Sequence, residues 1–579
     1  MSIRNAEIAV LFEEIADLLE LQQANPFRVR AYRQAASTLS AWPEQMSDLA
    51  AQGRPFDELP GIGKDLAGKI AEILARGGCG QLDRLRASFP RCIAELLNIS
   101  GLGPRRVHTL YHELGISSPA QLLDATREGH IRHLSGFGVT SEQRIAEAAA
   151  GYMERSKRWP LARVTSHVDT LLVYLRDAPG VTEVMVAGSY RRRRDTVGDL
   201  DILIVAKPTR RLSKYLTRFD KIDQVLSHGS TRTSIVLKDG LQVDFRIIPA
   251  ASLGAALIYF TGSKAHNLAL RRIAQARELK INEYGVYRDG KRVAGDTEAS
   301  VYATIGLPWI APELREDHGE IEAARNKTLP KLVERADLRG DLHAHTHASD
   351  GRQSLEEMAQ AAQMNGLGYL AITDHSRSLK VAHGLDTRRL GAQLDAIDQL
   401  NEKLEHIVLL KGIEVDILTD GRLDLPDTVL ARLDLVVAAV HSGLNLPRAR
   451  QTTRVLRAMD HPHFSILAHP NGRLFGTRGP CELDMERIIR HASERGCFLE
   501  LNSQPNRLDL FELQCRQAKD AGVMVAISSD AHHGSDLRWL ALGVDQARRG
   551  WLEAGDVLNT LPLEQLRTRL AKTMGTARS

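Results

Sequence analysis

From residue 338 onward a short apolar run recurs seven times, and each run stops at a polar side chain able to bind a metal. Leu338 to Leu342 leads to His343-Ala-His345. Tyr369 to Thr373 leads to Asp374-His375. Ile407 to Ile413 leads to Glu414, and Leu433 to Val440 leads to His441. Phe464 to Ala468 leads to His469, Phe498 to Leu501 to Asn502, and Val523 to Ser529 to Asp530-Ala-His532. Helix-length segments lie between the runs. Continuous apolar runs alternating with helices are the pattern of buried parallel strands. Ligands at the C-terminal end of each strand predict an α/β barrel with its site on the upper face. Thirteen of the 21 histidines follow residue 340, which points to metal chemistry there. His343 and His345 share a strand face as a metal pair, and Asp350 follows in a Ser-Asp-Gly turn.

A second constraint lies at residues 184 to 205. An apolar run ends in Gly188-Ser189, four arginines follow, and Asp199 and Asp201 open another apolar run through Val205. Residues i and i+2 of a strand face the same way, so the two carboxylates stand side by side and can share a pair of Mg²⁺ ions. Gly188 admits a phosphate close to the backbone, Ser189 adds a hydroxyl, and Arg192 offers a fork of donors to a triphosphate. In Leu241 to Ile248, Val243, Phe245 and Ile247 alternate with Asp244, which supplies a third carboxylate from a neighbouring strand. Three carboxylates so placed complete a two-metal site for in-line phosphoryl displacement.

The net charge of +4 conceals an uneven distribution. Residues 151 to 300 carry 26 Lys and Arg against 16 Asp and Glu, a bias that phosphate-backbone binding needs. Residues 8 to 21 are apolar but include Glu13, Glu14, Asp17 and Glu20, which makes them an amphipathic helix rather than a signal peptide or membrane span. The five cysteines form no close pair or metal spacing and read as reduced thiols of a cytosolic protein.

Three short elements repeat toward the N-terminus: Leu59-Pro-Gly-Ile-Gly63, Ile99-Ser-Gly-Leu-Gly103 and Leu134-Ser-Gly-Phe-Gly138. Each leads into a helical pattern, and its glycines expose backbone N–H groups at a helix start. That is a helix-hairpin-helix, which binds phosphate without reading bases. Gly61, Gly63, Gly101 and Gly103 are the expected DNA contacts. Lys69 follows the first hairpin on a helix whose buried stripe is Leu66, Ile70, Ile73 and Leu74.

Gly188-Ser189, Asp199-x-Asp201 and Asp244 together resemble the palm of the nucleotidyltransferase superfamily, specifically that of family X DNA polymerases. Tyr259-Phe-Thr-Gly-Ser263 resembles the segment that contacts the sugar of the incoming nucleotide in that family, and Ile281-Asn-Glu-Tyr284 resembles its thumb. The resemblance implies that Asp199, Asp201 and Asp244 hold Mg²⁺ or Mn²⁺. It assigns Gly188, Ser189, Arg192, Tyr259, Phe260, Gly262 and Asn267 to the nucleotide, and Arg271 to the template. Asn25 to Ser37 is similar to the small domain that grips the 5′ side of a DNA gap. Lys69 falls at the Schiff-base lysine of DNA polymerase beta-like enzymes. The C-terminal runs resemble the polymerase-and-histidinol-phosphatase (PHP) domain. All nine ligand positions of that family are filled, by His343, His345, Asp350, His375, Glu414, His441, His469, Asp530 and His532. The resemblance implies up to three divalent ions, and mixed imidazole and carboxylate ligands suit Mn²⁺ or Zn²⁺.

The expected organisation is multidomain: all-α helix-hairpin-helix regions at 1–90 and 91–150, an α+β palm at 151–250, a thumb at 251–315, a linker at 316–337, and a seven-stranded, distorted α/β PHP barrel at 338–579. The expected function is DNA-directed synthesis into short gaps during repair, in a cytoplasmic monomer. Its partners are gapped or nicked DNA and deoxynucleoside triphosphates, with no membrane. The PHP region would add 3′–5′ exonuclease, abasic-site endonuclease or 3′-phosphoesterase activity. Three other readings fit less of the chain. A DNA-end-binding scaffold needs neither ligand set. A small-molecule phosphatase needs a narrow pocket. An untemplated nucleotidyltransferase leaves the hairpins and Arg271 without a purpose.

Overall fold

The computed structural model describes all residues except 1–4, 43, 77, 90–92, 98, 100, 157 and 575–579. It divides into two compact units, Met1–Lys157 and Arg158–Ser579.

The first unit is helical. Helix α1 (Asn5–Leu21) packs on α2 (Pro26–Ala41) through Ile8, Phe12, Ile15 and Leu19, all fully buried and at helical spacing. The Asn25 side chain caps α2 by accepting from Phe27 N at 2.9 Å, with Pro26 in the first turn. The three hairpins share one turn geometry. Ile62 N, Leu102 N and Phe137 N each donate to the carbonyl three residues back, at 3.0, 3.0 and 3.1 Å. The third turn residue is Gly61, Gly101 or Gly136, with φ of +78°, +88° and +82°. A positive φ at that position is the requirement of a type II turn, which is why glycine recurs there. The turns feed α3 (Lys64–Arg76), α4 (Pro104–Leu114) and α5 (Val139–Ser156). Cys92 lies outside the described residues, and Cys79, Cys481 and Cys515 are free thiols.

The second unit begins with the palm. After α6 (Leu161–Arg176) come β1 (Val181–Val186), β2 (Asp199–Ala206), β3 (Ile222–His228), β4 (Arg232–Leu237) and β5 (Gln242–Ile248). They form one sheet in the order β1-β2-β5-β4-β3, in which only β2 and β5 run parallel. Val243, Phe245 and Ile247 face the buried side, as their alternation predicts. Helices α7 (Leu253–Thr261) and α8 (Lys264–Gln275) lead into the thumb and its three-stranded sheet.

Residues 316–337, expected to be a linker, are packed instead. Ile321, Ala324 and Leu332 enter the thumb core beside Trp551. Fully buried Glu320 accepts from His266 Nδ1 at 2.6 Å. The sequence showed a proline and charges there; two of those charges, Glu316 and Glu320, turn out to be paired inside the fold.

Palm and thumb are joined at Glu298. Its carboxylate receives two bonds from Arg191, at 2.7 and 2.8 Å, one from Arg315 at 2.7 Å and one from Trp309 Nε1 at 2.9 Å. Burial opposes the charge, but Arg191 and Arg315 outweigh it and hold the carboxyl down at about 2. A depressed carboxyl stabilises the fold above its unfolded value near 4.5 and loses that contribution as pH falls toward 2. Glu298→Gln should therefore lower stability near neutral pH by about 3 kcal/mol. The gap in melting temperature to the wild type should close as pH falls below about 4. A gap independent of pH would show that the charge does not matter there.

The C-terminal region holds the seven expected strand runs: β6 (Gly340–Ala344), β7 (Tyr369–Ile372), β8 (Val408–Lys411) continuing as β9 (Glu414–Asp416), β10 (Val437–Ala439), β11 (Ile466–Leu467), β12 (Phe498–Asn502) and β13 (Val525–Ser528). All pairs are parallel. Where one barrel sheet was expected, there are two sheets, β6-β7-β8 and β9-β10-β11-β12-β13. The division falls at Gly412-Ile413, where the third run changes partner from β7 to β10. A Cβ at Gly412 would stand 2.8 Å from Thr373 Cγ2, so the bend requires glycine. Single bridges link the two sheets: His375, just beyond the middle strand β7, with Glu414 of β9, and Ala344, at the end of β6, with Ala531 beyond β13. Helix α9 (Leu540–Arg549) packs outside β13. Among the described residues no helix is long and apolar enough to cross a membrane.

Candidate active sites

Parallel pairing of β2 with β5 brings the palm carboxylates together. Asp201 and Asp244 are register partners, and Asp199 lies on the same face two residues before Asp201. Asp244 is 5 % exposed and accepts from Arg232 Nη2 at 3.1 Å and Gln242 Nε2 at 3.3 Å. Burial raises the Asp201 carboxyl, and Asp199 and Asp244 raise it further, to about 7. Burial and Asp244 also raise Asp199. Burial and like charge oppose ionisation of Asp199 and Asp201, and divalent cations would satisfy such a cluster.

Gly188 sits at φ +63°, and a Cβ there would stand 2.8 Å from Asp201 Oδ2. Backbone conformation and close approach both call for glycine. Ser189 follows in the helical turn Gly188–Arg191. Arg192 is less free than expected: its Nε donates to Glu316 at 3.0 Å, and its Nη1 donates to the Thr261 carbonyl. Asn267 Nδ2 donates to Tyr259 O at 2.8 Å, and the Arg271 guanidinium lies over the Tyr259 ring at 5.3 Å. Phe260 is stacked under Arg246 at 4.4 Å. Gly262, at φ +69°, turns the chain beside the Arg192 guanidinium.

The C-terminal histidines and carboxylates form three overlapping groups with ligand atoms within 4.8 Å of one another. They are His345, Asp350, His375 and His532; His343, His345 and Asp530; and His375, Glu414 and His441. His469 belongs to none of the three, but its Nε2 lies 2.9 Å from Glu414 Oε1. Buried imidazole nitrogens are left without hydrogen bonds at His343 Nε2, His345 Nδ1 and His375 Nδ1. The last is 2.8 Å from Glu414 Oε2 but not aligned for a bond. Buried donors and acceptors are normally paired, so these nitrogens fit metal ligation.

Electrostatics agree. Burial opposes an imidazolium at His343, yet Glu500, Glu414 and Asp530 hold it well above the usual range. Glu414 overcomes the same penalty at His375 and His441, which reach about 10 and about 9. Burial and the neighbouring His375 press His345 down to about 4. Burial works against Glu414 and Asp530 as carboxylates, but the histidines keep both well below normal. Protons here occupy places where divalent cations would compete.

Several supporting residues were not singled out from the sequence. Glu500 accepts from His343 Nδ1 at 2.6 Å and from His469 N at 2.8 Å, and Asp416 lies 2.8 Å from His441 Nδ1. Such partners fix the tautomer and aim the other nitrogen at the site. Asp374 ends its run but serves structure: it accepts from Thr346 N at 2.8 Å and Ser349 Oγ at 2.5 Å, and so holds the loop that carries Asp350. His469 and Asp530 both adopt positive φ, +25° and +51°. Such backbone strain in non-glycine residues gathers at functional sites.

In the first unit, Lys69 is 12 % exposed, and its Nζ is 2.5 Å from Asp65 Oδ1 and 5.9 Å from the Tyr32 ring centre. Arg33, within the segment likened to the 5′-gripping domain, pairs with Asp17 at 3.0 Å and Glu20 at 2.7 Å. In the third hairpin Ser141 Oγ already accepts from Gly138 N at 2.7 Å, whereas no side chain caps the helix at Gly103.

Comparison with known families matches the helix-hairpin-helix domain over residues 3–79 and the SAM-like helix-hairpin-helix tandem over 93–150. It matches the DNA polymerase beta palm over 158–256, the DNA polymerase beta thumb over 256–316, and the PHP domain over 341–504. The chain is 37 % identical over 570 residues to the DNA polymerase/3′-5′ exonuclease PolX of Bacillus subtilis, covering 98 % of this chain and 99 % of that one. Probable phosphatases of Acetivibrio thermocellus and Caldicellulosiruptor saccharolyticus are 33 % and 29 % identical, over 33 % and 34 % of this chain and 78 % and 82 % of theirs.

Proposed function

The chain belongs to the family X DNA polymerases that carry a PHP domain, and from that premise we propose that it adds nucleotides to a primer at the palm and removes them from 3′ ends at the histidine cluster. The observation that carries the reading is the presence of two separate clusters, the carboxylates on the palm sheet and the histidine cluster at the strand ends of the two C-terminal sheets. The relative from Bacillus subtilis is named for both activities.

At the palm, Asp199, Asp201 and Asp244 are the proposed ligands of Mg²⁺ or Mn²⁺. Such ions, when bound, neutralise triphosphate charge and favour the attacking and leaving oxygens of an in-line displacement. The chain's own contribution is positioning. Gly188 leaves room beside Asp201, Ser189 and Arg192 meet the phosphates, and Tyr259, Phe260 and Gly262 border the sugar. Asn267 faces the nucleotide and Arg271 the template strand.

At the histidine cluster, His343, His345, Asp350, His375, Glu414, His441, His469, Asp530 and His532 are the proposed ligands of up to three Mn²⁺ or Zn²⁺ ions. Such ions, when bound, acidify water and polarise a phosphoester. Glu500 holds the Nδ1 proton of His343, and Asp416 holds that of His441, so each presents its Nε2 inward. Likeness to the probable phosphatases favours 3′-phosphate removal as a second activity at this cluster, beside cleavage at abasic sites.

The finer reading is short-gap filling in DNA repair by a cytoplasmic monomer. Gly61, Gly63, Gly101 and Gly103 grip phosphates, and Lys69 acts on a 5′-deoxyribose phosphate. A labelled one-nucleotide-gapped duplex tests the whole scheme, incubated with Mg²⁺ or Mn²⁺ and with or without nucleotides. Extension with nucleotides and 3′-end shortening without them are the expected results; absence of either removes that half of the proposal. Affinity for the same duplex should fall steeply and linearly in a log–log plot against salt and depend little on sequence, because phosphate contacts release counterions. A flat plot contradicts the hairpin assignment. For Lys69, the expected result is a borohydride-trapped adduct that disappears in Lys69→Ala; undiminished trapping moves the role to another amine.

A further inference from the structure

We propose that Arg549, in the C-terminal metal-site region, is a positioning residue for the polymerase reaction: it keeps the Glu316 carboxylate paired so that Arg192 can turn to the triphosphate of the incoming nucleotide. The proposal rests on the reading of Arg192 as a triphosphate contact.

Three guanidinium groups converge on one oxygen of Glu316. Arg192 Nε lies 3.0 Å from Oε1, Arg549 Nη1 3.1 Å and Arg194 Nη1 3.5 Å. Arg192 and Arg194 belong to the palm loop after Gly188-Ser189, whereas Arg549 ends α9. The Arg549 side chain is 1 % exposed. It is held in place on two further sides, by the Arg192 carbonyl at 2.8 Å and by Glu512 at 2.9 Å.

The contact is part of a fixed interface. Arg473, from the loop after His469, lies between the rings of Phe475 and Phe511 at 4.5 and 4.4 Å and donates to Asp195 at 2.9 Å. Leu508 and Leu542 are buried within the palm core. Arg193 lies 3.6 Å from Asp545 on α9. The palm loop therefore touches the C-terminal region at Arg192, Arg193 and Asp195.

The physical consequence concerns a buried carboxylate. Glu316 cannot be left unpaired without a large desolvation cost. If Arg192 leaves Glu316 for a triphosphate, another cation has to stay, and Arg549 is the one fixed from outside the loop. Without Arg549, the attraction of Glu316 falls on Arg192 and Arg194, and the nucleotide must compete with it.

The test is steady-state nucleotide addition by the full chain on the one-nucleotide-gapped duplex. Arg549→Met should raise the KM for the nucleotide about tenfold, the worth of one charge-assisted hydrogen bond. It should change kcat little and leave 3′-end degradation as it is. Arg549→Lys should recover most of the loss. Glu316→Gln should lower KM on its own and cancel the effect of Arg549→Met, because Arg192 is no longer held back. A soluble Arg549→Met protein with an unchanged KM overturns the proposal, as does an equal loss of both activities. If that variant does not accumulate, Glu316→Gln decides alone, and an unchanged or raised KM overturns it. Arg192→Ala separates the two readings. An unchanged KM there removes the triphosphate contact itself, while a raised KM beside an unaffected Arg549→Met removes only the role of Arg549.

Discussion

Asp244→Ala should reduce nucleotide addition by a factor of about a thousand while affinity for gapped DNA stays within a few fold. Asp244 is the register partner of Asp201 across β2 and β5, so its loss opens one side of the carboxylate cluster. The fold should survive. The main partner released is Arg232, whose side chain is 51 % exposed and can turn to water. DNA affinity is expected to come from the hairpins and the basic surface, which the substitution leaves alone. Extension and binding are measured on the same labelled gapped duplex, with 3′-end degradation as the check on folding. A variant that keeps most of its extension activity would sink the two-metal assignment.

The converse loss is expected from His343→Ala combined with His345→Ala: 3′-end degradation and any abasic-site cleavage disappear, and gap filling persists. His345 belongs to two of the three ligand groups and His343 to one, so the pair disturbs most of the cluster. Elemental analysis should show a drop in bound metal that does not depend on assaying activity. Glu414 and Glu500 would lose cationic neighbours in a buried setting, and some loss of stability should accompany the change. Persistence of gap filling is the control for that, since His343 and His345 pair with residues of the histidine cluster and not with the palm loop. Degradation at the normal rate with unchanged metal content would remove the nuclease assignment from this region.

Much of the molecule was legible in one dimension because its chemistry is tied to strand ends. Period-two alternation placed Asp199 and Asp201 on one face and set Asp244 opposite Val243, Phe245 and Ile247. Seven apolar runs gave eight strands, the third run dividing into β8 and β9, with most of the ligands at or just beyond the ends of the runs. The hairpins were legible because a type II turn demands a positive φ that glycine supplies at Gly61, Gly101 and Gly136. The same period could have found more. Asp416 and Glu500 lie two residues from Glu414 and Asn502, on the faces that carry those side chains, and a charge inside an apolar strand needs a buried partner.

Tertiary structure alone decided the rest, because it depends on which distant segments meet. Spacing does not reveal that Arg33 is spent on Asp17 and Glu20, that Asp374 braces the loop of Asp350, or that the expected linker is part of the thumb core. Arg192 read from the sequence is a free fork beside a phosphate site. In the fold it shares Glu316 with Arg549, 357 residues further along the chain from it. Local pattern fixes which face a side chain takes on its own element, but the pairing of a buried charge is set by whatever the packed chain brings within a few ångströms of it.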